Sequence, residues 1–170
     1  MKRYLNSESS KVILDTAKTI YSEENDRFKI AETKASILLA FTGVLANFYM
    51  QYIYRRITLE QLNLYDLFFI VINLLLILLL AYLLISSLML QDFEQPTLDT
   101  VILYSYAEKD QSNIMLEIAA TYHNVIKKNR EVLKAKYDNI RIALFILIGL
   151  LIFSILHIFL KEVYFFGQTI

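Results

Sequence analysis

Residues Leu67 to Leu90 read LFFIVINLLLILLLAYLLISSLML, 24 positions without a charge between Asp66 and Asp92. A bilayer core about 30 Å thick takes roughly 20 apolar residues of helix, so this stretch alone predicts a membrane crossing. Two further stretches qualify. Ala35 to Tyr54 holds 20 uncharged residues between Lys34 and Arg55, and Ile142 to Leu160 holds 19 between Arg141 and Lys161. The first is the weakest of the three, because Thr42, Gly43, Asn47 and Gln51 dilute it. The competing reading makes all three the buried helices of a soluble protein. It fails on supply: at 56% hydrophobic residues and a mean hydropathy of +0.45, too little polar sequence remains to cover them. The predicted fold class is an all-α integral membrane protein with three transmembrane helices.

Outward from the spans, the chain turns charged without turning irregular. Only 3 Gly and 1 Pro (Pro96) occur in 170 residues, which predicts long uninterrupted helices. In residues 8–34 the apolar positions Ile13, Ala17, Ile20, Phe28 and Ala31 recur near helical spacing and lead into the first span. Thr97, Asp99 and Thr100 after Pro96 predict a short helix from Leu98 to Glu108. The stripe Met115, Ile118, Tyr122, Ile126, Leu133, Tyr137 and Ile140 then predicts a long helix that enters the last span unbroken. From Ser112 to Leu160 it would be roughly 70 Å long at 1.5 Å per residue. Two of the three transmembrane helices are thus expected to extend into the cytoplasm as long helices.

The expected organisation is a cytoplasmic helix over 1–34, the first two spans over 35–90, a cytoplasmic helical region over 91–141, the third span over 142–160 and an outer tail over 161–170. Lys and Arg set the orientation. Seven lie in residues 1–34 and seven in 91–141, against two in 55–66 and one in 161–170. The N-terminus is therefore expected inside and the C-terminus outside. The first 34 residues are charged throughout and show no cleavable signal pattern. In the tail, Tyr164, Phe165 and Phe166 are expected at the outer interface.

Several chemistries are poorly served. A formal net charge of zero argues against a nucleic-acid partner. The lack of cysteine removes disulfides and thiolate ligands. The glycines Gly43, Gly149 and Gly167 are too scattered for a phosphate-binding loop, and His123 and His157 are the only histidines. No catalytic residues, metal site or cofactor are expected, and the chain is not read as an enzyme. Glu23, Glu24 and Asp26 read as a solvated helix face rather than a catalytic pair.

Polar residues inside the spans say more, because lipid penalises them. Asn47 and Gln51 share one face of the first span, and Ser154 and His157 share a face of the third; Asn73 interrupts the second. These form a candidate pore or helix-contact face. The cations Lys127, Lys128, Arg130, Lys134, Lys136 and Arg141 suit anionic lipid headgroups. Alternatively, part of this set faces Lys34, Lys29 and Arg27 and makes a basic pocket for a small anion, with Tyr104, Tyr122 and Tyr137 able to stack on a base. A helical layer of this size has a thin core, which favours a homo-oligomer.

Two stretches carry a family resemblance. FKIAETKASILLAFTG, from Phe28 to Gly43, resembles the D-x-K-A-x-x-L-L-x-x-x-G opening of small bacterial membrane effectors of nucleotide-signalled antiphage defence. KYDNIRIA, from Lys136 to Ala143 and preceded by Glu117-Ile118-Ala119 and Asn129, resembles their lead into the last span. With the order of helices and spans, the chain resembles the Pycsar transmembrane effector family over about residues 10–160; the SLATT effectors are the nearest alternative. One departure is Glu32, where the family pattern often has Asp.

The resemblance implies a bacterial inner-membrane protein with a functional link to a nucleotide cyclase. It also implies a cyclic pyrimidine mononucleotide as signal and damage to the inner membrane as output. Carried over by position, Glu32, Lys34, Lys136 and Tyr137 match polar positions of the family and become the candidate ligand-binding set. The alternative function is a non-conducting structural or accessory membrane subunit that scaffolds a partner protein.

Overall fold

The computed structural model describes residues 7–59, 63–90, 93–97 and 109–168. Three helices carry the fold: α1 over Ser7–Leu59, α2 over Leu64–Met89 and α3 over Gln111–Gln168. Among the described residues there is no strand. The scarcity of helix breakers is realised directly. Pro96 lies in segment 93–97, outside any helix, and Gly43 and Gly149 sit inside the long helices without ending them. The two long helices expected to run into the first and third spans are present as α1 and α3. The third continues past Leu160 to Gln168, so most of the expected tail is helical backbone. No proline interrupts residues 161–168, and the i to i−4 ladder simply goes on. The expected helix Leu98–Glu108 and the aromatic side chains of the tail lie outside the described residues.

Helix α2 starts one turn earlier than the uncharged run suggests. The Asn63 N–H donates to Asp66 Oδ2 at 3.3 Å, and the Leu67 N–H donates to Asn63 O at 3.1 Å. An acidic side chain three residues into a helix satisfies a backbone donor that has no intrahelical partner. Asp66 therefore belongs to the helix that it was expected to flank.

The chain divides into two compact units, and α1 and α3 contribute to both. The first takes α1 as far as Ala31 together with Gln91–Ala135. Its core comprises Leu14, Phe28, Ala31, Ala119, Ile126 and Leu133, all buried. The segment 93–97 is strapped across it: Phe93 packs on Tyr21 and Phe28, with ring centroids 5.1 and 5.4 Å apart. Asn129, 2% exposed, clamps the strap with its amide. Its Oδ1 accepts the Glu94 N–H at 2.9 Å and its Nδ2 donates to Glu94 O at 3.0 Å. Tyr21 adds its hydroxyl to the same carbonyl at 3.3 Å. Burial pushes the Tyr21 phenol above its ordinary value, and Tyr122 beside it adds to the shift, so Tyr21 stays a donor.

The second unit holds Glu32–Leu90 and the chain from Lys136 onward. Its surface is apolar: Ile37, Phe41, Phe48, Leu75, Leu78, Phe145, Ile152 and Ile155 are all exposed. Its buried set includes Thr42, Asp66, Asn73, Ser87, Lys136 and His157. In water this arrangement would be inside out, since soluble interiors exclude charge and soluble surfaces display it. In lipid it is the expected sense, and each of the three helices carries a stretch long and apolar enough to cross a bilayer.

Candidate functional site

Six polar side chains of the second unit, Ser154, Asn73, Tyr49, His157, Asp66 and Lys161, form one connected chain through all three helices. Asn73 of α2 is its hub. The Asn73 Nδ2 donates to the Tyr49 hydroxyl at 2.9 Å and to Phe69 O at 2.9 Å, while its Oδ1 accepts the Ser154 hydroxyl at 2.8 Å. The Tyr49 hydroxyl also meets His157 Nδ1 at 3.0 Å, and the far ring nitrogen, Nε2, faces Asp66 Oδ1 at 3.5 Å. Lys161 closes the chain on Asp66 Oδ2 at 2.6 Å. The contacts are mutually consistent when Tyr49 donates to Nδ1 and the histidine carries its proton on Nε2, an assignment made from the partners. Phe69 stacks on the imidazole with centroids 4.7 Å apart and an interplanar angle of 12°, which fixes the ring plane.

Asn73, His157, Asp66 and Tyr49 are 0%, 2%, 3% and 8% exposed, so the connection is shut off from its surroundings. Each of these groups would cost free energy in an apolar interior without its partner. The network therefore holds α1, α2 and α3 in one relative register.

A second cluster lies among the residues singled out from the sequence. Lys136 is fully buried, and its Nζ donates to Glu32 Oε1 at 3.0 Å. The Lys136 carbonyl accepts the Ser87 hydroxyl at 3.3 Å, which ties α2 to the same place. Lys34 and Tyr137 are paired differently: Lys34 Nζ sits 5.8 Å from the centre of the Tyr137 ring, within cation–π range. Lys34 is exposed and Tyr137 half-buried. The four residues come together as two helix-to-helix pairs, one closed and one accessible.

The candidate pore or contact face is divided by the structure. Ser154 and His157 turn inward to the network. Asn47 and Gln51 are exposed on the outer side of α1, whereas Thr42 and Tyr49 occupy its inner side. Tyr49, Asp66 and Lys161 were not identified as site residues from sequence. Tyr49 is one aromatic among many, and Asp66 and Lys161 stood just beyond uncharged runs, where charges usually mark span ends. A usable signal was the i, i+4 pair His157 and Lys161 on the face that also carries Ser154.

Glu24 departs from the solvated face expected of it. It is 3% exposed and accepts Arg130 Nε at 2.9 Å and Arg27 at 3.4 Å. A carboxylate between two guanidinium groups is stable in such a place because burial is offset by paired charge.

Among the described residues, no group of three His, Asp or Glu could hold a metal ion. No curated protein and no solved structure matches the chain. A family model described as the Pycsar effector protein domain matches residues 16–161, which takes in both units and every residue of the network. The chain belongs to the Pycsar effector family and is a multi-pass membrane effector of antiphage cyclic-nucleotide defence.

Proposed function

We propose that a cyclic nucleotide, in this family setting a cyclic pyrimidine mononucleotide from a partner cyclase, gates the protein and that the opened form impairs the integrity of the inner membrane. The observation that carries this reading is the buried network Ser154–Asn73–Tyr49–His157–Asp66–Lys161. Closed, its groups satisfy one another. Parted, the same six side chains would line a polar path between helices whose other faces are apolar. A ligand moves such an equilibrium only by binding one state more tightly, by roughly 5.5 kcal/mol for a nearly complete switch.

Within this proposal the four family-matched residues divide their roles. Glu32 and Lys136 hold α1 to α3 at the edge of the spans, while Lys34 and Tyr137 form the accessible pair between the same two helices, placed to respond to the signal. The orientation follows the Lys and Arg distribution, with the N-terminus in the cytoplasm.

The protein acts as a homo-oligomer, and the outer side of α1 is the face that joins copies. Ser36, Ala40, Gly43, Asn47 and Gln51 recur there at helical spacing, all exposed. A β-carbon at Gly43 would meet nothing within 4 Å. Small residues allow close helix approach in lipid, and amides supply hydrogen bonds across it.

The scaffold reading has one observation in its favour: the network is fully partnered as it stands, which also suits a static bundle. Membrane potential separates the two. In bacteria expressing the protein with a co-expressed pyrimidine nucleotide cyclase, depolarisation is expected only when cyclase is active. Confirmed insertion without depolarisation under any cyclic nucleotide would overturn the gated reading in favour of the scaffold.

A further inference from the structure

A cavity lies within the first unit. It is an open groove of about 850 Å³ between α1 and α3. Ala17, Ile20, Leu116, Ala119 and Ala120 form its apolar floor. Three alanines there leave the two helices with little side-chain volume to fill the space between them. The strap residue Pro96 borders a different hollow, with Leu14 and Tyr122, so the strap does not cover this groove.

One wall of the groove is basic. His123, Lys127, Arg130 and Lys134 recur at i, i+4, i+7 and i+11 along α3, which places them on a single helix face. Three cations stand there against one carboxylate, Glu131. Arg130 is engaged by Glu24. Among the described residues, Lys127 and Lys134 have no carboxylate within ion-pair distance. Asn124 and Thr16 add neutral hydrogen-bonding groups to the lining.

We infer that this groove takes a small ligand with a flat apolar body and an anionic phosphate, the base on the alanine floor and the phosphate against Lys127 and Lys134. The charge argues for an anion over a second copy of the chain, since a two-fold contact through this face would set like charges opposite one another. The cavity falls in the size range of small-molecule sites, and its mix of apolar lining with a few convergent polar groups is what such sites use. The assignment rests on the proposed gating by a cyclic nucleotide and adds where that signal first binds. Lys34 and Tyr137 would then respond to the signal rather than make its first contact. A phospholipid headgroup presents the same phosphate chemistry, and the test separates the two sources.

The test uses the full chain in nanodiscs of neutral phosphatidylcholine, titrated calorimetrically with cyclic UMP, cyclic CMP and cyclic AMP. The variants are Lys127→Gln with Lys134→Gln, which removes two exposed charges, and Ala120→Leu, which fills the exposed floor. Lys128→Gln serves as the control, a neighbouring cation outside the lining. The double lysine variant is expected to weaken nucleotide binding about tenfold or more, and Ala120→Leu to weaken it without any change in charge, while Lys128→Gln binds as the parent does. A parent that binds nucleotide while both groove variants bind equally well would overturn the groove assignment and leave the gating reading intact. A parent that binds no cyclic nucleotide would overturn the gating reading itself. Binding only to vesicles containing phosphatidylglycerol, weakened by the double lysine variant, would assign the groove to lipid and overturn the nucleotide.

Discussion

Lys136 shows why charge and burial have to be weighed together at the residue scale. Its ammonium has no exposure, whereas its partner Glu32 retains 39%. Removing one member of such a pair is costly according to which member stays behind. In Glu32→Ala the ammonium stays buried and loses the Glu32 carboxylate. In Lys136→Met the carboxylate keeps its access to solvent, and a thioether of similar length fills the vacated space. Breaking a buried pair typically costs 3–5 kcal/mol, and replacing a buried charge by a well-packed apolar group is often near neutral. Discounted for the exposure of Glu32, the expected loss is about 2 kcal/mol for Glu32→Ala and under about 1 kcal/mol for Lys136→Met. Thermal unfolding in detergent, followed by helical circular dichroism, measures both. Equal losses would mean that the ammonium itself is needed, and the asymmetry argued from burial would be lost.

Single elements decide which polar residues face the protein and which face lipid. On α1 the two sides are separated by one or two positions: Thr42 and Tyr49 point inward, and Gly43, Asn47 and Gln51 outward. An outward amide in a span does nothing for the fold of one copy and gains a partner only from another. Asn47→Leu with Gln51→Leu is therefore expected to leave the thermal stability of the dilute, single-copy protein within about 0.5 kcal/mol, as for other surface substitutions. The same variant is expected to lose most of the species cross-linked between copies in membranes. Stability lost along with cross-linking would place the two amides in the internal packing instead.

The element scale also marks how far the sequence could be read. The three spans and the unbroken entry of α1 and α3 into them followed from uncharged runs, missing helix breakers and the 3.6-residue period. These are local signals, and local physics dictates them. The inward or outward sense of Asn47 and Asn73 depends on how three helices rotate against one another, which a single helix pattern does not carry. Asp66 is the clearest case. Read along the chain it is a charge at a span end; packed, it is the only buried carboxylate of the second unit among the described residues, reached by His157 and Lys161 from 91 and 95 positions away. The pairing of Glu32 with Lys136 was within reach, since opposite charges stand shortly before the uncharged runs that begin at Ala35 and Ile142. The burial that makes Lys136 structural was not.

At the scale of the whole molecule, the proposed function requires a definite topology, because a signal made in the cytoplasm must meet the first unit there. The sequence supplies a convenient probe: it contains no cysteine, so any introduced thiol is the only one present. With three crossings, Ser7→Cys and Gln111→Cys are expected to be shielded from a membrane-impermeant maleimide in intact spheroplasts and to label after permeabilisation. Asn63→Cys and Gly167→Cys are expected to label without it. The prediction rests on an imbalance of 14 Lys and Arg in the two segments assigned inside against 3 in those assigned outside. Such residues resist translocation, whereas acidic residues contribute little to orientation. The reverse pattern would place the basic groove outside the cell, where a cytoplasmic nucleotide could not reach it. Labelling at all four positions without permeabilisation would show that the expressed chain permeabilises the membrane before any signal arrives, which a gated effector must not do.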